Sequence, residues 1–331
     1  MSAEPVTILG GGSWGTALAI VLARGGRKVR LWTVEPQVVA DIRDRRRNSK
    51  YLPDKELPAG IEGFLEAPQA LHQAGSVVWA LPVPVLREVA AQVASAVPRQ
   101  AALVSVAKGL EQVTHRRPTQ VLEEIFPGRE LVALLGPSHA EEVAAGVPTT
   151  VAACASDPAA AAAVQALFHG DRFRVYTNDD VAGSEYGTAL KNVIAVAAGI
   201  SDGLGFGDNT KGALVTRGLA EMSRLGVALG GRRETFFGLT GLGDLVTTAF
   251  SRFSRNRHVG EELGRGRELT AVLGSMTQVA EGIPTSRVAL ELARERNVEV
   301  PIIEQVVAVL FEGKSPRAAL LDLLARDPRR E

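Results

Sequence analysis

The sequence predicts an α/β protein: a doubly wound parallel sheet over residues 1–181, followed by an all-α domain over 182–331. Three observations predict it. Short, valine-rich apolar runs alternate with helical stretches through the first half, and continuous apolar runs mark strands buried on both faces. After about residue 180 the strand-like runs mostly stop and long helical patterns dominate. A glycine-rich hexapeptide separates the first apolar run from the first helical stretch. At 331 residues, 46% of them apolar, the chain is long enough for two domains of ordinary size.

The elements follow in order. Val6-Thr7-Ile8-Leu9 is a short apolar run ending in glycines, Thr16 to Arg24 is helical, and Val29-Arg30-Leu31-Trp32 is a second strand. Further runs of strand length are Val77 to Leu81, Leu103 to Val106, Val132 to Leu135 and Thr149 to Ala153, with Phe173 to Tyr176 as the last. Helical stretches such as Pro84 to Val97 and Arg117 to Ile125 lie between them. This alternation argues for a parallel sheet wound with helices. Beyond it, Ala182 to Gly199, Gly212 to Leu229, Pro284 to Arg296 and Ile303 to Phe311 read as helices. The third carries proline at its start and charge in its last turns, as a solvated helix does. No internal repeat or low-complexity linker interrupts the chain. A packed interface between domains is therefore expected, with a cleft there as the default ligand site.

Gly10-Gly11-Gly12-Ser13-Trp14-Gly15 fits G-x-G-x-x-G, and it follows a strand and opens a helix. Gly10 allows the tight turn, Gly12 lets the backbone approach a pyrophosphate, and Gly15 lets helix and strand pack closely. Unpaired N–H groups at the start of the helix, Ser13 and Trp14 among them, then face the phosphates. The first domain therefore reads as a Rossmann-type fold binding NAD or NADP. An acidic residue about 20 positions beyond the loop favours NAD, and Glu35 has that spacing but falls past the strand end at Thr33. Arg43, Arg45, Arg46 and Arg47 either meet a 2′-phosphate or form a solvated face. Together they tilt the reading toward a phosphate-tolerant site.

Lysine and arginine total 37, balanced by 37 acidic residues, so the net charge is zero. That argues against a nucleic-acid binder, which needs a basic excess. The single cysteine, Cys154, reads as a small hydrophobe on a strand, and a chain that cannot form an internal disulfide fits a reducing cytoplasm. No apolar stretch reaches the ~20 residues of a membrane span. The apolar run from Ala17 to Ala23 lacks the basic start of a signal peptide, since Glu4 is the only charged side chain before it. His72, His115, His139, His169 and His258 show no metal-ligand spacing, so no metal is expected.

Only seven of the cations are lysines, and Lys108, Lys191 and Lys211 lie in mostly uncharged stretches. Lysine releases its proton when buried and arginine does not. Reducing a ketone by hydride needs a proton delivered to the developing alkoxide, and a cation there stabilises the charge. Lys191, in the otherwise apolar stretch Ala189 to Ile200, suits that role, with desolvation and a second lysine such as Lys108 tuning it. Asp244, flanked by glycines and leucines, needs a partner. A catalytic lysine is one answer; capping a helix that starts at Leu245 is another. Arg252, Arg255 and Arg257 with Asn256 form a basic loop that either grips phosphate through arginine's planar fork or is simply solvated.

Gly10 to Ala19 resembles the opening of the bacterial-type NAD(P)-dependent glycerol-3-phosphate dehydrogenases. Tyr51-Leu52-Pro53, Ala107-Lys108-Gly109, Gly136-Pro137-Ser138, Leu190-Lys191-Asn192, Asp208 to Lys211, Gly241 to Leu245, Ser254-Arg255-Asn256 and Val279 to Gly282 resemble that family's blocks, in its order. His139 departs from the pattern, standing where phenylalanine is expected. The resemblance implies a Rossmann domain followed by a helical domain, interconversion of sn-glycerol 3-phosphate and dihydroxyacetone phosphate, and a homodimer supplying glycerol phosphate for phospholipids. It implies Lys191 as the proton donor or acceptor, Lys108 in contact with substrate and cofactor, and Gly136, Ser138, Asp244, Ser254, Arg255 and Asn256 around the substrate. Ala140, Arg255, Val279 and Glu281 fall on the cofactor side, with the loop Gly10, Gly12, Ser13, Trp14 and Gly15. Lys211 is left outside the set that touches substrate. The competing readings are a β-hydroxyacid or ketopantoate-type reductase, which the Ser254-Arg255-Asn256 loop disfavours, and a non-catalytic dinucleotide sensor, which needs no acid.

Overall fold

The computed structural model describes residues 4–276 and 278–325. Its chain divides into two compact units. The first takes in the chain up to Lys108 together with Arg117–Val181; the second takes in Gly109–Arg116 and the chain from Ala182 onward.

In the first unit, β1 (Val6–Leu9), α1 (Ser13–Arg24), β2 (Val29–Trp32), α2 (Pro36–Arg45), β3 (Arg47–Asn48), β4 (Leu52–Glu56), β5 (Ile61–Phe64) and α3 (Ala67–Leu71) follow one another. Then come β6 (Ser76–Trp79), α4 (Val83–Val93), β7 (Ala102–Ser105), α5 (Pro118–Ile125), β8 (Leu131–Leu135), α6 (Ala140–Ala145), β9 (Thr149–Cys154), α7 (Pro158–Phe168) and β10 (Phe173–Asn178). Eight strands form one sheet in the order β10-β9-β8-β7-β6-β1-β2-β5, while β3 and β4 pair apart. The expected strands are all present, and the sheet is doubly wound. Alternate residues of its central strands feed two apolar layers: Val6, Ile8, Val78, Val104 and Val132 on one face, Leu9, Val77, Trp79 and Leu103 on the other. Each large side chain buried this way contributes about 1.5–3 kcal/mol.

The sheet is not wholly parallel. β8 and β9 pair antiparallel, with Leu134 opposite Ala153, and β10 runs with β9. The short α6 joins β8 to β9 and ends at Gly146 in the left-handed conformation, which turns the chain back. Apolar content cannot report strand direction, because a buried strand reads the same either way. The edge strand β5, Ile61-Glu62-Gly63-Phe64, has no apolar run and was not expected. Cys154 ends β9 and is fully buried among Ala133, Leu135 and Ala152.

The second unit is helical: α8 (Val181–Gly203), α9 (Asp208–Ala228), α10 (Arg233–Phe236), α11 (Asp244–Phe250), α12 (Arg255–Gly264), α13 (Leu269–Gly274), α14 (Gly282–Glu295), α15 (Pro301–Phe311) and α16 (Pro316–Leu324). At its centre is α8, with a continuous buried run from Gly183 to Ser201. A helix apolar all round is a core helix, and α12 closes on it through glycines. A Cβ on Gly199 would stand 2.0 Å from the Arg257 carbonyl oxygen, and one on Gly260 would stand 2.0 Å from that of Val196. The segment Gly109–Arg116 belongs here because Leu110 is buried in this helical core and His115 Nε2 lies 2.8 Å from Glu291.

Candidate active site

The glycine loop leaves β1 at Gly10, whose φ of +123° only glycine holds without strain. A Cβ on Gly10 would stand 2.2 Å from the Ala80 carbonyl oxygen, and one on Gly15 would stand 2.0 Å from that of Gly10. Gly12 differs: a Cβ there would meet nothing within 4 Å. It is the N-cap of α1, and no side chain caps that helix end. The amides of the first turn, Ser13 and Trp14 included, therefore have no capping side chain at an open approach, which is what a dinucleotide's phosphates require. The residues present fit the cofactor. Asn48, buried, braces the loop by donating to the Gly11 carbonyl and to Thr16 Oγ1, each at 2.8 Å.

On the same sheet edge, Lys108 follows β7 and Gly136 follows β8. Lys108 Nζ donates to the Gly136 carbonyl at 2.7 Å, and Ser138 Oγ donates to the same oxygen at 2.9 Å. Gly136 holds φ +140°, with Val151 packed 3.1 Å from where its Cβ would be. Ala140 is the buried first residue of α6, and His139 is its N-cap. Ligands of open α/β sheets bind outside the carboxyl ends of the parallel strands, and the loop, Lys108, Gly136 and Ser138 all lie at those ends.

The second unit gathers the other predicted residues. Lys191 is 5% exposed and Asp244 is 2% exposed, and Lys191 Nζ lies 3.0 Å from Asp244 Oδ1. Lys191 thus points inward rather than reaching for solvent. Asp244 is the first residue of α11 rather than its cap, since the N-cap is Gly243. Sequence reasoning missed Thr248, whose Oγ1 accepts from Lys191 Nζ at 2.6 Å and donates to the Asp244 carbonyl at 2.6 Å. The available signal was its place four residues after Asp244, on the same helix face. A buried cation and carboxylate are tolerable only when paired and hydrogen-bonded, and these three side chains meet that condition.

The Ser254-Arg255-Asn256 triplet divides its labour. Ser254 is the N-cap of α12, accepting from the Arg257 amide at 3.1 Å. Asn256 is buried, donating to Asn192 Oδ1 at 2.9 Å and accepting from the Gly282 amide at 2.8 Å. That bridge ties the residue beside Lys191 to the start of α14, where Glu281 is the N-cap and Val279 is 45% exposed. Arg255 is the exposed member of the triplet. Lys211, buried, donates to Asp202 Oδ2 at 2.8 Å, which also accepts from Arg257 Nε at 2.6 Å. Among the described residues no group of three or more His, Cys, Asp or Glu side chains assembles as a metal site, and no helix is long and apolar enough to cross a membrane.

Neither expectation for the arginines beyond β2 describes Arg43 and Arg46. Arg43 donates twice to the Gly63 carbonyl, at 3.1 and 2.8 Å, and Arg46 donates to the carbonyls of Leu57 and Pro58. Arg43 ties α2 to the edge strand β5, and Arg46 ties the end of α2 to the segment between β4 and β5.

Two family models of the NAD-dependent glycerol-3-phosphate dehydrogenases match the chain, the N-terminal one over residues 5–161 and the C-terminal one over 180–321. The chain belongs to this dehydrogenase family. A glycerol-3-phosphate dehydrogenase [NAD(P)+] of Chlorobium limicola is 48% identical over 98% of this chain and 99% of its own length. One from Geobacillus thermodenitrificans is 49% identical over 99% of this chain and 96% of its own. A crystal structure of glycerol-3-phosphate dehydrogenase from Coxiella burnetii superimposes with a TM-score of 0.94 at 37% identity, over 98% of this chain and 99% of that one.

Proposed function

We propose that this chain is an NAD(P)-dependent glycerol-3-phosphate dehydrogenase, interconverting sn-glycerol 3-phosphate and dihydroxyacetone phosphate. The observation that carries the reading is the buried Lys191–Asp244–Thr248 arrangement in a chain of this family. The nicotinamide, when bound, supplies or takes up the hydride at C2. Lys191 gives its proton to the C2 oxygen as that oxygen becomes an alkoxide, and recovers one in the reverse direction. Asp244 and Thr248 fix the ammonium so that no reorganisation is needed as charge develops. Lys108, aimed by the Gly136 carbonyl, supplies a second positive charge to substrate and cofactor, with Gly136 and Ser138 beside it. Arg255 offers its fork to the substrate phosphate, and Ser254 and Asn256 hold the loop that carries it. Gly10, Gly12, Ser13, Trp14, Gly15, Ala140, Val279 and Glu281 line the cofactor side. Domains at 1–181 and 182–331, with Gly109–Arg116 lent to the second, a homodimer, a cytoplasmic location and supply of glycerol phosphate for phospholipids complete the proposal; family membership and the single cysteine support them.

The test is absorbance at the reduced-nicotinamide band with dihydroxyacetone phosphate, run separately with NADPH and NADH. Substrate-dependent loss of signal is the expected result. Cofactor binding without turnover would instead favour a dinucleotide sensor, and turnover only of a branched keto acid would favour the ketopantoate-type reductases.

A further inference from the structure

We propose that Lys211, paired with Asp202, is a positioning residue for the substrate phosphate: it holds both ends of the loop between α11 and α12 and so sets the place of Arg255. The inference rests on the reading of Arg255 as the residue that grips the phosphate, and adds what fixes it. Lys211 is the fourth residue of α9, and Asp202 lies in the last turn of α8. Each charge sits at the unfavourable end of its helix, a cation near the positive N-terminus and an anion near the negative C-terminus. Lys211 is also buried, 6% exposed, where an ammonium costs free energy unless it is paired. Neither helix favours its charge, so what the pair holds explains it.

Lys211 Nζ lies 2.8 Å from Asp202 Oδ2, and the same oxygen accepts from Arg257 Nε at 2.6 Å. Arg257 is the third residue of α12, two beyond Arg255 and in the same turn. Its amide donates to Ser254 Oγ, the cap of that helix. Its pairing with Glu261 stays within α12, whereas Asp202 ties it to another helix. Anchoring the Arg257 guanidinium therefore fixes the turn from which the exposed Arg255 projects. At the other end of the loop, the Lys211 ammonium stands 4.6 Å from the centroid of the Phe250 ring, within range of a cation–π contact. Phe250 is the last residue of α11, the helix that carries Asp244 and Thr248, and its ring is half exposed. Only Ser251 to Ser254 separate Phe250 from Arg255. One ammonium thus touches the residue before the loop and, through one carboxylate, the turn after it. Asn256 ties the second end, through Asn192 and Gly282; Lys211 ties both.

The experiment measures kcat and KM of the full chain for dihydroxyacetone phosphate at saturating reduced cofactor, in the wild type, Lys211→Met, Arg255→Ala and the double variant. Lys211→Met keeps the aliphatic stem and removes the charge. It is expected to raise KM about tenfold and leave kcat within about threefold, the mark of lost binding rather than lost chemistry. In the Arg255→Ala background the same substitution is expected to change kcat/KM by less than about twofold, because the residue it acts through is gone. A merely structural lysine would give additive effects. Asp202→Asn keeps the shape and removes the charge that joins Lys211 to Arg257, so it is expected to give the same pattern, and it replaces Lys211→Met if that variant does not fold. An unchanged KM in the folded variant overturns the inference, as do equal effects with and without Arg255. An Arg255→Ala variant with wild-type KM would instead overturn the phosphate reading of Arg255, and the inference with it.

Discussion

The proposed chemistry concentrates on a few side chains whose identity cannot be traded. Lys191 and arginine carry the same charge, but only lysine has a proton that can be released. Lys191→Arg is therefore expected to lower kcat by about 10²–10⁴-fold, the span of general acid catalysis, while the dissociation constant for NADPH or NADH stays close to wild type. Steady-state turnover and a binding titration check it, and near-normal kcat would remove the proton-transfer role. Arg255 is exposed, whereas its neighbours Ser254 and Asn256 are buried and spent on the loop. Arg255→Ala is expected to raise KM for dihydroxyacetone phosphate sharply with a smaller change in cofactor affinity. An unchanged KM would take Arg255 out of the phosphate site. The pairing of Lys191 with Asp244 was legible in the sequence because both types clash with their surroundings; Arg255 stood out there only as part of a motif. Thr248 was not legible: its place four residues after Asp244 puts it on that helix face, but only the fold sets its hydroxyl 2.6 Å from Lys191 Nζ.

Between elements, the contact of α8 with α12 sets the separation of Lys191 and Asn192 from the Ser254-Arg255-Asn256 loop. Gly199 and Gly260 let the two backbones touch, and Gly203 and Gly264 continue the contact along the same helices. Gly260→Ala drives a methyl group into the Val196 carbonyl, so the thermal midpoint is expected to fall by roughly 5–10 °C, the effect of overpacking a rigid contact. Scanning calorimetry measures it. Glu221, on α9, offers a pH-dependent counterpart. It is 3% exposed and caps α15, accepting from the amides of Ile302 at 2.8 and 3.1 Å and of Ile303 at 3.3 Å. Desolvation, the largest influence, pushes its carboxyl up to about 7, against those amides and Arg224 and with the added charge of Glu304. The folded chain thus holds a proton there that the unfolded chain releases near its ordinary pKa of 4.5. Its stabilising effect is complete below that value and is lost as pH rises through about 7. Relative to Glu221→Gln, the wild type should lose on the order of 3 kcal/mol between pH 4.5 and 8. Urea unfolding at several pH values tests it, and parallel stability curves for the two proteins would rule it out.

For the whole molecule, binding and stability are linked: a ligand at a hundred times its dissociation constant adds about 2.7 kcal/mol. NADPH or NADH alone should therefore raise the unfolding temperature. Gly12 separates binding from folding, since its φ of −72° suits any residue and a Cβ there meets no protein atom. Gly12→Ala is expected to melt like the wild type without cofactor and to lose most of the cofactor-induced rise, because the added methyl group occupies the approach of the pyrophosphate. A variant that keeps the full rise would show that the phosphates do not come close to Gly12.

Local residue type, spacing and ordered blocks suffice for the sheet strands that are continuous apolar runs, the helical character of the second half, the glycine loop and the dehydrogenase family. The tertiary structure set the antiparallel pairing of β8 with β9, since burial and not direction selects apolar residues. It alone assigned Arg43 and Arg46 to backbone carbonyls, bound Glu35 to Lys50 and Tyr51, and brought Thr248 to Lys191. These are hydrogen bonds between side chains and groups distant in the chain. A single side chain has several such partners open to it, and packing selects among them.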